Sequence, residues 1–189
     1  MAIALSVFQS DWGWIGMAVS RRGLAGLTLP QPSEESAWSR LFSGWPDGVP
    51  QESSAWPELQ TMLLDYLSGK HVDFSNIPLD LPKGPPFWKK VWLLCTRIPY
   101  GETRSYMELA EEAGAPRAFR AVGGAMAANP IPIVIPCHRV LGSNGNLVGF
   151  GGGIDQKRRL LEMEARSKRS DGEAERQCNA PSPLPLGEG

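Results

Sequence analysis

Asn129-Pro130-Ile131-Pro132-Ile133-Val134-Ile135-Pro136-Cys137-His138-Arg139-Val140 is the stretch on which the reading of this 189-residue chain turns. Each proline fixes its φ and offers no backbone donor, so the chain arriving at Cys137 is stiff. The β-branched Ile133, Val134 and Ile135 suit a buried, extended segment. Packing alone would account for an isolated cysteine, since free cysteine is among the most buried residue types. Here an imidazole and a guanidinium follow at once, and nearby cations favour the thiolate of a group whose free pKa is about 8.5. The spacing points to a reactive sulfur presented on a rigid arm.

Immediately upstream lies Arg117-Ala118-Phe119-Arg120-Ala121-Val122-Gly123-Gly124-Ala125-Met126-Ala127-Ala128. Two adjacent glycines inside a helix cost about 1 kcal/mol each against alanine. A helix tolerates that when something must approach its backbone. Reduced to Ala and Gly around one projecting arginine, this helix could enter a nucleic-acid groove too narrow for bulky side chains. Further upstream, Ser105 with Glu108 three residues on forms a capping box that opens a short helix to Ala113. Gly114 can end that helix in the left-handed conformation, and Pro116 can start the next. Two helices across so tight a turn read as a helix-turn-helix or as an ordinary αα-hairpin.

Downstream, Gly142 to Asn146 is a turn and Gly149 to Gly153 a glycine-rich loop. The loop lacks a Lys-Ser/Thr ending and GxGxxG spacing, which excludes nucleotide-phosphate binding, yet it can offer backbone N–H groups to a planar ligand. Asp155 is placed to cap a last helix reaching about Ala165. From Ser167 to Gly189 the polar, Pro- and Gly-bearing text reads as a disordered tail, with Cys178 an incidental thiol.

The first half is different in kind. Ile3 to Leu29 is strand-like, with a turn at Arg21-Arg22-Gly23; Ser33 caps a helix from Glu34 to Phe42. Pro57 opens another to about Ser68, with an apolar stripe of Leu59, Met62, Leu63, Tyr66 and Leu67. This reads as a small α+β unit without a catalytic constellation. Val72 to Pro86 is a proline-rich boundary, after which Phe87, Val91, Leu94 and Cys95 share one helical face.

The composition is that of a soluble protein: 42% hydrophobic, 21% charged, net charge −1. No stretch approaches the roughly 20 apolar residues of a membrane span, and Met1 to Phe8 lacks the basic start of a signal peptide. Three scattered cysteines and two histidines give no metal-ligand spacing, and a reducing, cytoplasmic setting is expected. Charge is uneven. From Ala113 to Leu161 there are Arg117, Arg120, Arg139, Lys157, Arg158 and Arg159 against only Asp155, a local basic face able to carry a nucleic-acid footprint.

Pro136-Cys137-His138-Arg139, after Asn129-Pro130-Ile131-Pro132 and Arg120-Ala121-Val122-Gly123-Gly124-Ala125-Met126, closely resembles the O6-alkylguanine-DNA alkyltransferases, from about Pro86 to Ala165. The resemblance implies a two-domain α+β architecture. Residues 1–80 would be a ribonuclease-H-like α/β domain, and 81–166 a mainly helical, winged helix-turn-helix-like DNA-binding and catalytic domain; residues 167–189 would be the tail. It implies a flipped guanine whose O6-alkyl group passes to the Cys137 thiolate by in-line displacement. His138 would act as base through a water, with Glu164 orienting it and Asn129 bracing the arm. Tyr106 would donate to the guanine ring with Lys157 assisting, and the backbone of Val140 and Gly151 would hold the base edge. Met126, Pro132 and Phe150 would line the pocket. Arg120 would fill the hole in the duplex, beside DNA contacts from Ala121, Gly123, Gly124 and Arg139, with the helix in the minor groove. The implied partner is double-stranded DNA bearing O6-alkylguanine, met by a monomer without cofactor, metal or membrane; O4-alkylthymine and bulky adducts stay open. A thioether is a poor leaving group, so each molecule should react once.

Three features depart from the family pattern. The zinc ligands of some members are absent, Phe119 is bulkier than expected at its helical position, and Gly151 replaces a residue that sometimes bears a hydroxyl. Three other readings compete. A Cys-His hydrolase would need an oxyanion hole and leaves the Gly-Gly helix unexplained. A DNA-binding regulator leaves Cys137-His138 idle. A non-catalytic lesion sensor would be expected to have lost the cysteine.

Overall fold

The turn at Arg21-Arg22 joins a central strand of the first half to its edge strand in a computed structural model that describes residues 3–178. Strands β1 (Ala4–Ser10), β2 (Gly13–Ser20) and β3 (Gly23–Leu27) form an antiparallel meander, and β4 (Val49–Pro50) adds parallel to β1, giving the order β3-β2-β1-β4. Gly23 has φ +136, and a Cβ there would collide with the Pro78 carbonyl, so the position demands glycine. Helix α1 (Glu34–Gly44) begins at Ser33, whose side chain accepts from the Ser36 N–H, and lies on one face of the sheet. Helix α2 (Pro57–Leu67) buries Leu59, Leu63, Tyr66 and Leu67.

The segment between the halves is tied to β3. Leu24 donates to the Pro78 carbonyl and Asp80 to the Leu24 carbonyl, while the Asp80 carboxylate takes the Ser20 hydroxyl at 2.6 Å. Helix α3 (Pro86–Cys95) then buries Val91, Trp92 and Cys95. Phe87 and Leu94 are only half-buried; Trp92, whose Nε1 donates to the Ala125 carbonyl at 2.8 Å, fills the core instead. Helix α4 (Tyr106–Glu112) opens with the expected capping box, the Glu108 N–H meeting Ser105 Oγ at 3.1 Å and the Ser105 N–H meeting Glu108 Oε2 at 2.6 Å. Gly114 follows at φ +73. Helix α5 (Phe119–Ala127) starts later than expected, because Pro116 and Arg117 are spent in the turn, and Ala118 provides no side-chain cap.

The arm is buried as expected but not extended. The Ile135 N–H bonds back to the Ile131 carbonyl at 2.8 Å, and Ile133 has φ +75, so the chain reverses within Ile131–Ile135. Prolines at 130, 132 and 136 withhold the donors a strand would need, and Asn129 supplies the turn's missing partners. A β-branched residue at positive φ costs on the order of 1–3 kcal/mol, which the surrounding packing must offset. The arm ends in a single 3-10 turn, Cys137–Arg139, and short strand β6 (Val140–Leu141), paired in parallel with β5 (Arg104–Ser105).

Helix α6 (Ile154–Cys178) closes the described chain. Asp155 lies in its first turn, not at the cap, and the helix runs on past Ala165. The expected irregular tail is thereby corrected as far as Cys178: no proline occurs between Ala165 and Pro181, and Glu162 and Arg166 pair across one turn at 3.6 Å. The rest of the expected tail lies outside the described residues. One buried apolar cluster runs from the sheet and α2 through α3, α4 and α5 to the arm and Leu160; a smaller one, with Leu5 and Leu41, lies under α1. Among the described residues no helix is long and apolar enough to cross a membrane.

Candidate active site

Asn129 holds the arm's turn closed. Its amide donates to the Ile135 carbonyl at 2.8 Å and its oxygen accepts the Ile131 N–H at 3.0 Å. The turn delivers Cys137 against the core, 6% exposed. Burial pushes its thiol up from the ordinary value, while the Asn129 amide, the Lys157 charge and the N–H groups of Cys137 and His138 pull it back. The cations that follow in sequence do not face the sulfur. His138 and Arg139 both turn to Glu164.

Glu164, on α6, is fully buried and completely partnered. It lies 2.8 Å from His138 Nε2 and accepts from the Tyr66 hydroxyl at 2.6 Å, Arg139 Nη2 at 2.9 Å and Nε at 3.0 Å, and the Gly101 N–H at 3.0 Å. Burial alone would raise its pKa. The hydrogen bonds and charges of His138 and Arg139 outweigh that and hold the carboxyl well below the usual range. For His138 burial dominates and pushes the imidazole down, with Glu164 opposing. A neutral ring beside an ionised carboxylate places its proton on Nε2, an assignment made from the hydrogen bonds. Nδ1 then carries the lone pair, buried and without a hydrogen-bond partner among the described residues. The ring thus keeps a free lone pair within the reactive turn.

Arg139, expected against DNA, is instead buried, its Nη1 donating to the Ile98 carbonyl at 2.6 Å. The resemblance and the basic stretch suggested the surface; pairing with the buried Glu164 carboxylate explains the interior. Lys157 is also fully buried. Its Nζ donates to the carbonyls of Val140 at 2.6 Å and Val148 at 3.2 Å, pinning β6 to the glycine loop, and sits 5.9 Å from the Tyr106 ring centre.

Two adjoining cavities open at the site, one of them onto the sulfur. Cys137 lines one of about 290 Å³, together with Met126, Asn129, Pro132, Phe150 and Gly151. Tyr106 lines the other, of about 730 Å³, with Met107, Phe119, Gly123 and Val148; the two share Ala127, Phe150 and Gly151. Four expected pocket residues thus gather round Cys137 and Tyr106 faces the neighbouring space, its hydroxyl 3.4 Å from the Val148 carbonyl. Val140 lines neither cavity, and its carbonyl is taken by Lys157.

The outer face of α5 exposes Arg120 and Ala121 and half-exposes Gly123 and Gly124. A Cβ on Gly123 would meet no described atom within 4 Å, and one on Gly124 only Trp88, at an ordinary 3.6 Å. Internal packing therefore demands glycine at neither position. Phe119 is 45% exposed at the mouth of the larger cavity, with the Arg120 guanidinium 5.9 Å from its ring centre.

Tyr66 and Gly101 are the site residues that sequence reasoning missed. A hydroxyl on the buried stripe of α2 was the available signal, because a buried tyrosine usually finds a partner for its O–H.

Residues 86–166 match the model of the 6-O-methylguanine DNA methyltransferase DNA-binding domain. The chain is 50% identical over 113 residues to a methylated-DNA–protein-cysteine methyltransferase of Mycobacterium leprae, which spans 60% of this chain and 67% of that one. It is 44% identical over 159 residues to one of Methanosarcina acetivorans, covering 84% and 96% of the two chains. Other mycobacterial relatives are matched over 59 to 60% of their own length. The crystal structure of Mycobacterium tuberculosis OGT in complex with DNA superposes with a TM-score of 0.74 at 39% identity, covering 87% of this chain and 94% of that one. A match across nearly the whole archaeal relative, at that identity, decides the matter: the chain belongs to the methylated-DNA–protein-cysteine methyltransferase family.

Proposed function

We propose that this protein repairs duplex DNA by taking the alkyl group from O6 of a guanine onto Cys137, once per molecule. The observation that carries the reading is the buried, neutral His138, tied to Glu164 through Nε2, with a free Nδ1 lone pair beside a cysteine that lines a cavity. Helix α5 presents a nearly bare backbone to the minor groove at Ala121, Gly123 and Gly124, and Arg120 takes the place of the extruded base. Extrusion costs a few kcal/mol, least for a badly paired base. The guanine enters beside Tyr106, Met126, Pro132, Phe150 and Gly151.

Through one water, His138 Nδ1 takes the thiol proton, and Glu164 stabilises the resulting imidazolium. The thiolate attacks the alkyl carbon in line. An S–C bond forms, the C–O6 bond breaks, and the electron pair leaves on O6 of guanine. Tyr106 donates to the ring as that charge develops. Lys157 assists by fixing Val140 and the glycine loop, and its charge favours the thiolate. The thioether that results has no easy leaving group.

The order β3-β2-β1-β4, with β4 parallel to β1, supports a ribonuclease-H-like first domain over residues 1–80. The α4-turn-α5 unit and the β5–β6 pair support a winged helix-turn-helix-like second domain over residues 81–166. The test is transfer of a labelled methyl group from duplex O6-methylguanine. Label moving to wild-type protein but not to Cys137→Ala is the expected result, and label staying on DNA at excess protein would reject the reading.

A further inference from the structure

Tyr66 belongs to the half of the chain that carries none of the reactive motif, yet its hydroxyl lies 2.6 Å from Glu164 Oε1 and 3.1 Å from His138 Nε2. The three polar atoms form a closed triangle, fully buried. The Tyr66 ring is held edge-on against Phe74 and Tyr100, with centroids 5.6 and 6.0 Å away, so the hydroxyl has little freedom to turn elsewhere. Burial, and then Glu164, keep its proton on, so Tyr66 is a donor to the carboxylate.

We propose that Tyr66 is a positioning residue for the alkyl transfer, setting how much of the Glu164 charge reaches His138 and fixing the imidazole plane so that Nε2 stays on the carboxylate and Nδ1 stays free to accept a proton. The inference rests on the proposed transfer to Cys137. Glu164 Oε1 receives both the Tyr66 hydroxyl and His138 Nε2–H. Sharing weakens the carboxylate's hold on the imidazole, and a weaker hold keeps the ring neutral and able to accept a proton. The oxygen of Tyr66, close to Nε2, blocks rotation of the ring about its Cβ–Cγ bond.

The charged and titratable groups that act on His138 are Glu164 and Lys157 from α6, Arg139 from its own turn, and Tyr66 from α2, with Tyr100 facing Tyr66. Tyr66→Phe removes only the hydroxyl and keeps the ring packing. The full carboxylate charge then acts on His138, so the imidazole must titrate at higher pH than in the wild type.

Two measurements are made side by side on the full chain. His138 is titrated by NMR in unreacted protein, and single-turnover methyl transfer from an O6-methylguanine duplex is followed across pH. In Tyr66→Phe the His138 titration and the acid limb of the rate profile should both move up, by about half a pH unit or more. Transfer at neutral pH should slow about tenfold, at unchanged duplex affinity. A purely structural role would move neither the titration nor the acid limb, and that result would overturn the proposal even if stability or rate fell. If the wild type transferred no methyl group, the functional reading would fail while the NMR titration still decided the role of Tyr66.

Discussion

At Glu164 five donors converge on one carboxylate, and the chemistry of the site follows from how they divide it. Arg139 neutralises the charge, Gly101 and Tyr66 anchor its oxygens, and His138 is left neutral. Removing the charge alone, as in Glu164→Gln, leaves a buried guanidinium uncompensated and should cost about 3 kcal/mol in denaturant unfolding. His138→Gln removes the base and should slow transfer about 100-fold, with duplex affinity preserved. Acid stability follows from the same two groups. His138 is depressed in the fold, so its contribution is lost as pH falls below its ordinary 6.5; Glu164 is depressed below 4.5, so its contribution is lost as pH falls below that. Unfolding free energy should therefore decline from about pH 6.5 and steepen below about 4.5. The steep part should flatten in Glu164→Gln. A flat wild-type profile from pH 7 to 4 would contradict this.

Among the elements, α5 and the arm show opposite compromises. Helix α5 gives up intrinsic stability for an accessible backbone. Gly123→Ala should stabilise the fold by about 1 kcal/mol, read as a higher Tm, while weakening duplex binding. A variant that gained stability and bound DNA as well as the wild type would remove the reason for the glycine. The arm spends stability on a reversal at Ile133 that Asn129 alone can complete from its side chain. Asn129→Ala strands the Ile131 N–H and the Ile135 carbonyl, and should destabilise by about 2 kcal/mol and slow transfer. These elements were unequally legible. Local signals gave the capped starts at Ser33 and Ser105, the proline start at Pro57 and the turns at Gly23 and Gly114, because each rests on neighbours within a few residues. The reversal at Ile133 was not legible, because β-branched residues favour extended chain and only the loss of strand partners decided otherwise.

Over the whole molecule the halves meet in one core and in one polar cluster. The sequence pointed to Cys137, His138 and Glu164 through motif and resemblance, and the structure joins His138 to Glu164 and sets Cys137 in the same short turn as His138. It could not show that Tyr66 joins them from α2, nor that Arg139 turns inward, since both depend on contacts 98 and 25 positions away in the chain. Net charge −1 likewise hides the exposed Arg117, Arg120, Arg158 and Arg159, whereas Arg139 and Lys157 of the same basic stretch turn inward. Duplex binding should weaken as salt rises, as expected when phosphates are contacted and counterions released. The central claim is covalent and stoichiometric, and intact mass measures both at once. After mixing with a duplex carrying a single O6-methylguanine, wild-type protein should gain the mass of one methylene, stop at one equivalent, and carry the change on the peptide containing Cys137. Tight binding with no change of mass would contradict the account and leave a protein that senses the lesion without removing it.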